Sequence, residues 1–175
     1  LPYPDASFDA VWCANTTQYL TDEELATALA ELRRVVRPGG LVAVKDADGT
    51  LVRVLPAPPG FLLRVFRAAA PVNVPSAGIL RAPALPGWLR RAGLVGVWRR
   101  TTLIERPAPL APPSRRQNRD ALALLAAHAP GLDLPAADQD LWARLRDPAA
   151  LEAYLDDPEF CFLEGNILTV GTVPG

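Results

Sequence analysis

Methionine is absent from the 175 residues, histidine occurs once, cysteine twice, and lysine only at position 45. His128, Cys13 and Cys161 lie far apart with no metal-ligand spacing, so no structural zinc site is expected. Two thiols in separate apolar runs do not make a disulfide scaffold either. No apolar run approaches the ~20 residues a membrane-spanning helix needs. The net charge of −1, from 18 basic and 19 acidic residues, excludes the broad phosphate-neutralising surface of a nucleic-acid binder. The one small basic cluster, Arg115-Arg-Gln-Asn-Arg119, reads as a solvated helix start. A reduced, metal-free, cytoplasmic protein is the resulting expectation. Because the sequence opens on Leu1 and holds no methionine, it is also expected to be a fragment of a longer protein.

What is present fits a globular chain: half the residues are hydrophobic and 21% are charged. The length suits one domain or most of one. Proline is abundant, at 19 residues, about twice its usual share.

Residues 8–15, Phe-Asp-Ala-Val-Trp-Cys-Ala-Asn, form a nearly uninterrupted apolar run, the pattern of a strand buried within a parallel sheet. The helix that follows is well marked. Thr21 and Glu24 fit a capping box, and Leu20 and Leu25 a hydrophobic staple. Leu25, Leu29, Leu32 and Val36 repeat at helical spacing. Pro38 is expected to stop the helix and Gly39-Gly40 to turn the chain into a strand at residues 41–45, with Asp46 at its end. Strand, helix and strand make a βαβ unit. In open parallel sheets ligands bind beyond the carboxyl ends of the strands, which here means residues 14–16 and 46–48.

Three segments, Leu1-Pro-Tyr-Pro-Asp-Ala-Ser-Phe-Asp9, Gln18-Tyr-Leu20 and Glu31-Leu-Arg-Arg-Val-Val-Arg-Pro-Gly-Gly-Leu41, stand in order and at a characteristic separation. Together they closely resemble the second half of the class I S-adenosylmethionine-dependent methyltransferases of the type 11 group. The resemblance covers residues 1–46. It implies an α/β, Rossmann-like methyltransferase fold, a three-layer, mostly parallel sheet with an antiparallel last strand, and the N-terminal half of the sheet missing. It also implies S-adenosyl-L-methionine as cofactor, with Ala14, Asn15 and Tyr19 on the cofactor side and Gln18, Asp46 and Asp48 on the substrate side. Gln18 and Tyr19 stand where many relatives carry a pair of histidines. The family's glycine-rich loop and the acidic residues that hold the donor precede its LPF segment, and nothing in these residues matches them. Gly39-Gly40 follows a helix, so it is not such a loop.

Further along, residues 61–66 and 86–93 read as helices and residues 94–104 as a strand. Residues 166–173 read as the final strand. Residues 1–104 and 161–175 are thus assigned to the methyltransferase-like domain, and residues 105–160 to a helical insertion covering the substrate side. Within it, Ser114 with Gln117 offers a capping box, Leu122, Leu125 and Ala129 an apolar stripe, and Asp147-Pro148 a helix start. Asp48 is expected in a solvated loop and His128 on the surface or in packing.

Methyl transfer from a sulfonium needs alignment and exclusion of water more than a nucleophilic triad. The expected function is transfer of a methyl group to a small-molecule or lipid-like acceptor. The alternative is a non-catalytic binding or scaffold protein that keeps the fold without a working donor site. Without a neighbour, the strand at residues 8–15 would be an unpaired apolar edge, open to self-association.

Overall fold

Thr21 opens the first helix as its sequence predicts. Its hydroxyl accepts from the Glu24 amide at 3.2 Å and the Glu24 carboxylate accepts from the Thr21 amide at 2.8 Å, in a computed structural model describing residues 1–175. This helix, α1 (Asp22–Val35), carries Asp22, Glu23 and Glu24 at its positive end and Arg33 and Arg34 at its negative end. It buries Leu25 and Leu29 completely, each worth about 1.5–3 kcal/mol of apolar transfer.

The sheet holds four strands: β1 (Phe8–Ala14), β2 (Val36–Leu55), β3 (Val95–Pro107) and β4 (Cys161–Thr172), in the order β1-β2-β4-β3. β1 and β2 are parallel, and β4 runs antiparallel between β2 and β3. This is the Rossmann-like α/β arrangement with an antiparallel last strand that the resemblance implies. β1 has no partner on its outer side.

β2 departs from expectation. It is continuous from Val36 to Leu55, where a strand of residues 41–45 was expected. Pro38-Gly39-Gly40 does not end it. The surplus residues are taken up as an irregularity, with Phe8 opposite Val36 but Ala10 opposite Leu41, and Gly39 at φ 77°. Asp46 and Asp48 therefore lie inside a strand, both buried, and Asp48 is not in the solvated loop expected for it.

A second irregularity changes which face of the sheet is covered. Between the pairs Asp48–Gly165 and Arg53–Leu163, β2 advances five residues while β4 advances two. The surplus is odd, so the alternation of side chains inverts. Before it, Val42 and Val44 point to a core with α1 and α4 (Leu85–Arg91). Beyond it, Val52 and Val54 point to the opposite face, into a larger core. That core is built with α2 (Phe61–Ala69), α5 (Pro112–His128), α6 (Ala136–Leu145) and α7 (Pro148–Leu155). Phe61 stacks on Trp142 at 4.2 Å between ring centroids, and Asp147 caps α7 as its sequence predicts. The remaining helix, α3 (Val74–Arg81), is capped by Asn73, whose side chain accepts from the Ser76 amide at 2.9 Å.

No helix is long and apolar enough to cross a membrane, and no group of three or more His, Cys, Asp or Glu is placed to hold a metal ion.

Candidate functional site

β1 ends at Ala14, and Asn15 then turns the chain in the left-handed region, φ 54°, which Asn tolerates better than most residues. Its amide donates to the Lys45 carbonyl at 2.8 Å, and its Oδ1 accepts from Lys45 Nζ at 2.7 Å. A short 3-10 turn follows at Thr17–Tyr19. The Thr17 hydroxyl donates to Asp46 Oδ2, tying the end of β1 to β2.

α3 clamps this turn from above. Arg81 donates to the carbonyls of Thr17 at 2.7 Å and Leu20 at 2.8 Å, and pairs with Asp22. Gly78 lies flat against the Gln18 carbonyl with no room for a Cβ. Gln18 and Tyr19 are thereby fixed on the wall of a cavity of about 750 Å³. The cavity lies between α2, α3, the turn at Thr17–Tyr19, α5 and the neighbouring part of the sheet, and most of its lining is apolar.

The sequence-derived candidates separate into two sets. Gln18 and Tyr19 line the cavity, and Ala14 and Asn15 lie just before them on the chain. Asp46 and Asp48 do not line it. Asp46 is wholly buried, with Oδ2 on Thr17 and Oδ1 without a partner. Burial pushes its carboxyl up from the ordinary range, against the opposing pull of the Thr17 hydrogen bonds and the Lys45 charge. Asp48 Oδ1 accepts from the Thr50 amide at 2.8 Å and hydroxyl at 2.6 Å, a local turn bond. Cys13 is half-buried, and burial raises its thiol, which keeps it a poor nucleophile.

Two further cavity residues lie on α5: Asn118, which is not among the sequence-derived candidates, and His128, expected on the surface or in packing. Asn118 is 1% exposed and its Nδ2 has no hydrogen-bond partner. It stands four residues before Leu122 and eight before Ala126, the other buried residues of that helix, so the apolar stripe itself carried the signal. His128 is exposed, and its Nδ1 lies 2.7 Å from the Leu124 carbonyl. A carbonyl only accepts, so in the neutral ring Nδ1 carries the hydrogen and Nε2 keeps a free lone pair. Glu164, on the opposite wall, is engaged by Arg106 at 3.1 Å and by Asn166 Nδ2 at 3.0 Å.

Residues 1–44 match the family model described as "Methyltransferase domain". The chain is 38% identical over 98 residues to a protein of Aspergillus luteorubrus named "Probable methyltransferase ltbC", covering 53% of this chain and 33% of that one. It is 36% identical over 89 residues to an uncharacterized methyltransferase of Schizosaccharomyces pombe, covering 50% and 31% respectively. The aligned part thus spans about a third of the length of these relatives. Among solved structures, the YcgJ protein of Bacillus subtilis superposes on the whole chain and 68% of its own, at 14% identity and a TM-score of 0.48. Over the aligned part of the chain the similarity is to methyltransferases.

Proposed function

We propose that this chain forms the acceptor side of an S-adenosylmethionine-dependent methyltransferase acting on a small-molecule or lipid-like acceptor, with donor-loop residues supplied from outside these 175. The observation that supports this reading most is the placement of the cavity. It opens at the turn that follows β1, where the family motif surrounds Ala14, Asn15, Gln18 and Tyr19.

The residues present fit one flank of a donor. Ala14 adds little bulk, Asn15 keeps an amide nitrogen while Lys45 holds its oxygen, and the Tyr19 ring is 59% exposed. In this reading Ala14, Asn15 and Tyr19 face the donor and Gln18 faces the acceptor. Asp46 is a positioning residue, fixing the turn through Thr17. When bound, the donor supplies an electrophilic methyl on a sulfonium. The chain's own work is to hold the acceptor in line and keep water away under the helices of residues 105–160.

The test is calorimetric titration of S-adenosylhomocysteine into this chain and into one extended upstream, followed by transfer of labelled methyl. Binding to the extended chain alone, with transfer, is expected. Binding to neither overturns the proposal in favour of a non-catalytic binding protein.

A further inference from the structure

β3 forms one edge of the sheet, and no strand lies beyond it. It runs for 13 residues, about twice the usual length, and every residue except Val97 and Arg106 is exposed. Its inner side is bonded to β4. On the outer side about every second N–H and C=O points away from the sheet. One bond, from Arg90 Nη2 to the Val97 carbonyl at 3.4 Å, is all that any side chain makes to this backbone. Alternating donors and acceptors of this kind are matched by another extended main chain.

Charge decides which chain fits. Residues 49–104 hold eight arginines and no aspartate, glutamate or lysine. Arg64 and Arg81 are paired with Asp138 and Asp22. Four others gather at the β3 edge without a salt bridge: Arg90 and Arg91 at the end of α4, and Arg99 and Arg100 within β3. Two of these are held by neutral groups instead. Arg99 donates to the Pro83 carbonyl at 3.1 Å, and Arg91 lies over the Trp88 ring at 4.2 Å. Arg90, Arg91 and Arg99 line a groove of about 470 Å³ between α4 and β3, and no carboxylate lines it. Arg100 follows Arg99 in the strand, so it stands on the opposite face. A strand laid along this edge therefore meets cations on both of its faces. Further along, Leu103 and Ile104 are exposed and apolar, and Glu105 beside them repels an acid placed there.

A second copy of β3 would bring the same arginines to the seam with no compensating acid beyond Glu105. The edge is thus closed to its own kind and open to a chain of opposite charge. We infer that β3 is a docking edge for an extended acidic segment of a partner protein. The segment adds to the sheet as a fifth strand, with carboxylates over Arg99, Arg100 and the groove and apolar residues over Leu103 and Ile104. The groove shares no residue with the large cavity, and this docking asks nothing of the methyltransferase reading.

Labelled peptides titrated with the full chain test this by fluorescence anisotropy. The reference peptide carries adjacent glutamates followed by valines. One control replaces glutamate by glutamine, and another sets proline at alternate valine positions, where it cannot join a ladder. The reference should bind, and both controls about tenfold more weakly. Added salt should weaken the reference and leave the glutamine control nearly unchanged. Alternate amides between Arg99 and Glu105 should gain protection from hydrogen exchange. Arg99→Gln and Arg100→Gln should each weaken the reference about two- to fivefold. Arg99→Glu combined with Arg100→Glu should reverse the preference toward a peptide with lysines for glutamates, a gain that a misfolded chain would not show. Equal binding of the reference and the glutamine control overturns the inference. So does unchanged affinity in both glutamine variants, or no binding by the reference. Equal binding of the proline control would mean attraction without strand addition. Displacement by equimolar inorganic phosphate, or tighter binding of a single-stranded oligonucleotide at the same salt, would mean a phosphate site. Each of these also overturns it.

Discussion

Trp12 and Trp98 stand at the two ends of one transverse row across the sheet. Trp12 pairs with Ala43, Ala43 with Val170, and Val170 with Trp98, so the row runs from edge strand to edge strand on one face. The two rings are 62% and 49% exposed, and Leu41 on the same face is exposed as well. A contiguous apolar face of this kind is a contact site or an aggregation liability. Iodide should therefore quench Trp12 and Trp98 but leave Trp142, which is buried. Trp12→Phe and Trp98→Phe should each remove part of the quenchable emission. In light scattering, apparent mass should rise with concentration and fall back in Trp12→Lys. A concentration-independent monomer would argue against the face as a contact site.

Gly78 and Gly87 offer opposite outcomes for one substitution. Both lie in helices, where Gly→Ala ordinarily stabilises by about 0.5–1 kcal/mol. At Gly87 a new Cβ would meet only the tip of Arg91, so Gly87→Ala should gain that amount. At Gly78 it would collide with the Gln18 backbone, and overpacking of this kind costs about 1–3 kcal/mol. The clash exceeds the propensity gain, so Gly78→Ala should melt lower while Gly87→Ala melts higher. A rise in both melts would show that α3 can shift without penalty.

Asp46 makes stability depend on pH in an unusual direction. Its carboxyl titrates above the unfolded value near 3.9, so folding takes up a proton between the two values. The contribution is fully present below about pH 4 and is lost as pH rises through the folded value. Asp46→Asn keeps an acceptor for the Thr17 hydroxyl and carries no charge. Relative to the natural chain it should gain little near pH 4 and gain most at pH 7, by about 1.4 kcal/mol for each tenfold change in proton affinity. Urea melts across pH 4–8 read this directly, and a gain that shrinks with rising pH would contradict it.

Arg64 and Asp138 form a bidentate pair across the larger core, with Nη2 to Oδ1 at 2.7 Å. Asp138 is 1% exposed, whereas the Arg64 side chain reaches solvent. Arg64→Ala leaves a carboxylate buried without its counter-charge, about 3–5 kcal/mol of destabilisation. Asp138→Asn lets the guanidinium turn outward and keeps an acceptor, so it should cost about 1–2 kcal/mol. With about 2–4 °C per kcal/mol for a chain of this size, the two melts should separate by several degrees. Equal losses would mean that the carboxylate is hydrated after the arginine is removed.

The elements legible from sequence are those whose ends are set by local hydrogen bonds. The Thr21–Glu24 box and the Asp147 cap act within three residues, so the chain itself specifies them. The second capping box, at Ser114, does not form. Pro112 and Pro113 start α5 three residues earlier, with Ala111 as N-cap, because their fixed φ already suits the first helical turn. β2 was read too short because Pro38-Gly39-Gly40 is turn chemistry, and only pairing with β1 and β4 carries the strand through it. Asp46 and Asp48 look like loop residues for the same reason. α3 was missed because Pro75 and Gly78 weaken its signal, and the contact that requires Gly78 is with a residue 60 positions away. The cavity was legible only as a location beyond the strand ends. Its wall is assembled from helices that meet through tertiary packing.

The inversion of β2 between Asp48 and Arg53 makes one strand the shared spine of two differently oriented halves. Side chains before the inversion answer to α1 and α4, and those after it to α2 and the helices of residues 105–160. The second half can therefore be remodelled or replaced in descendants of this chain without reworking the first. A lineage could change what it accepts in the cavity while leaving the turn at Thr17–Tyr19 and its α3 clamp untouched.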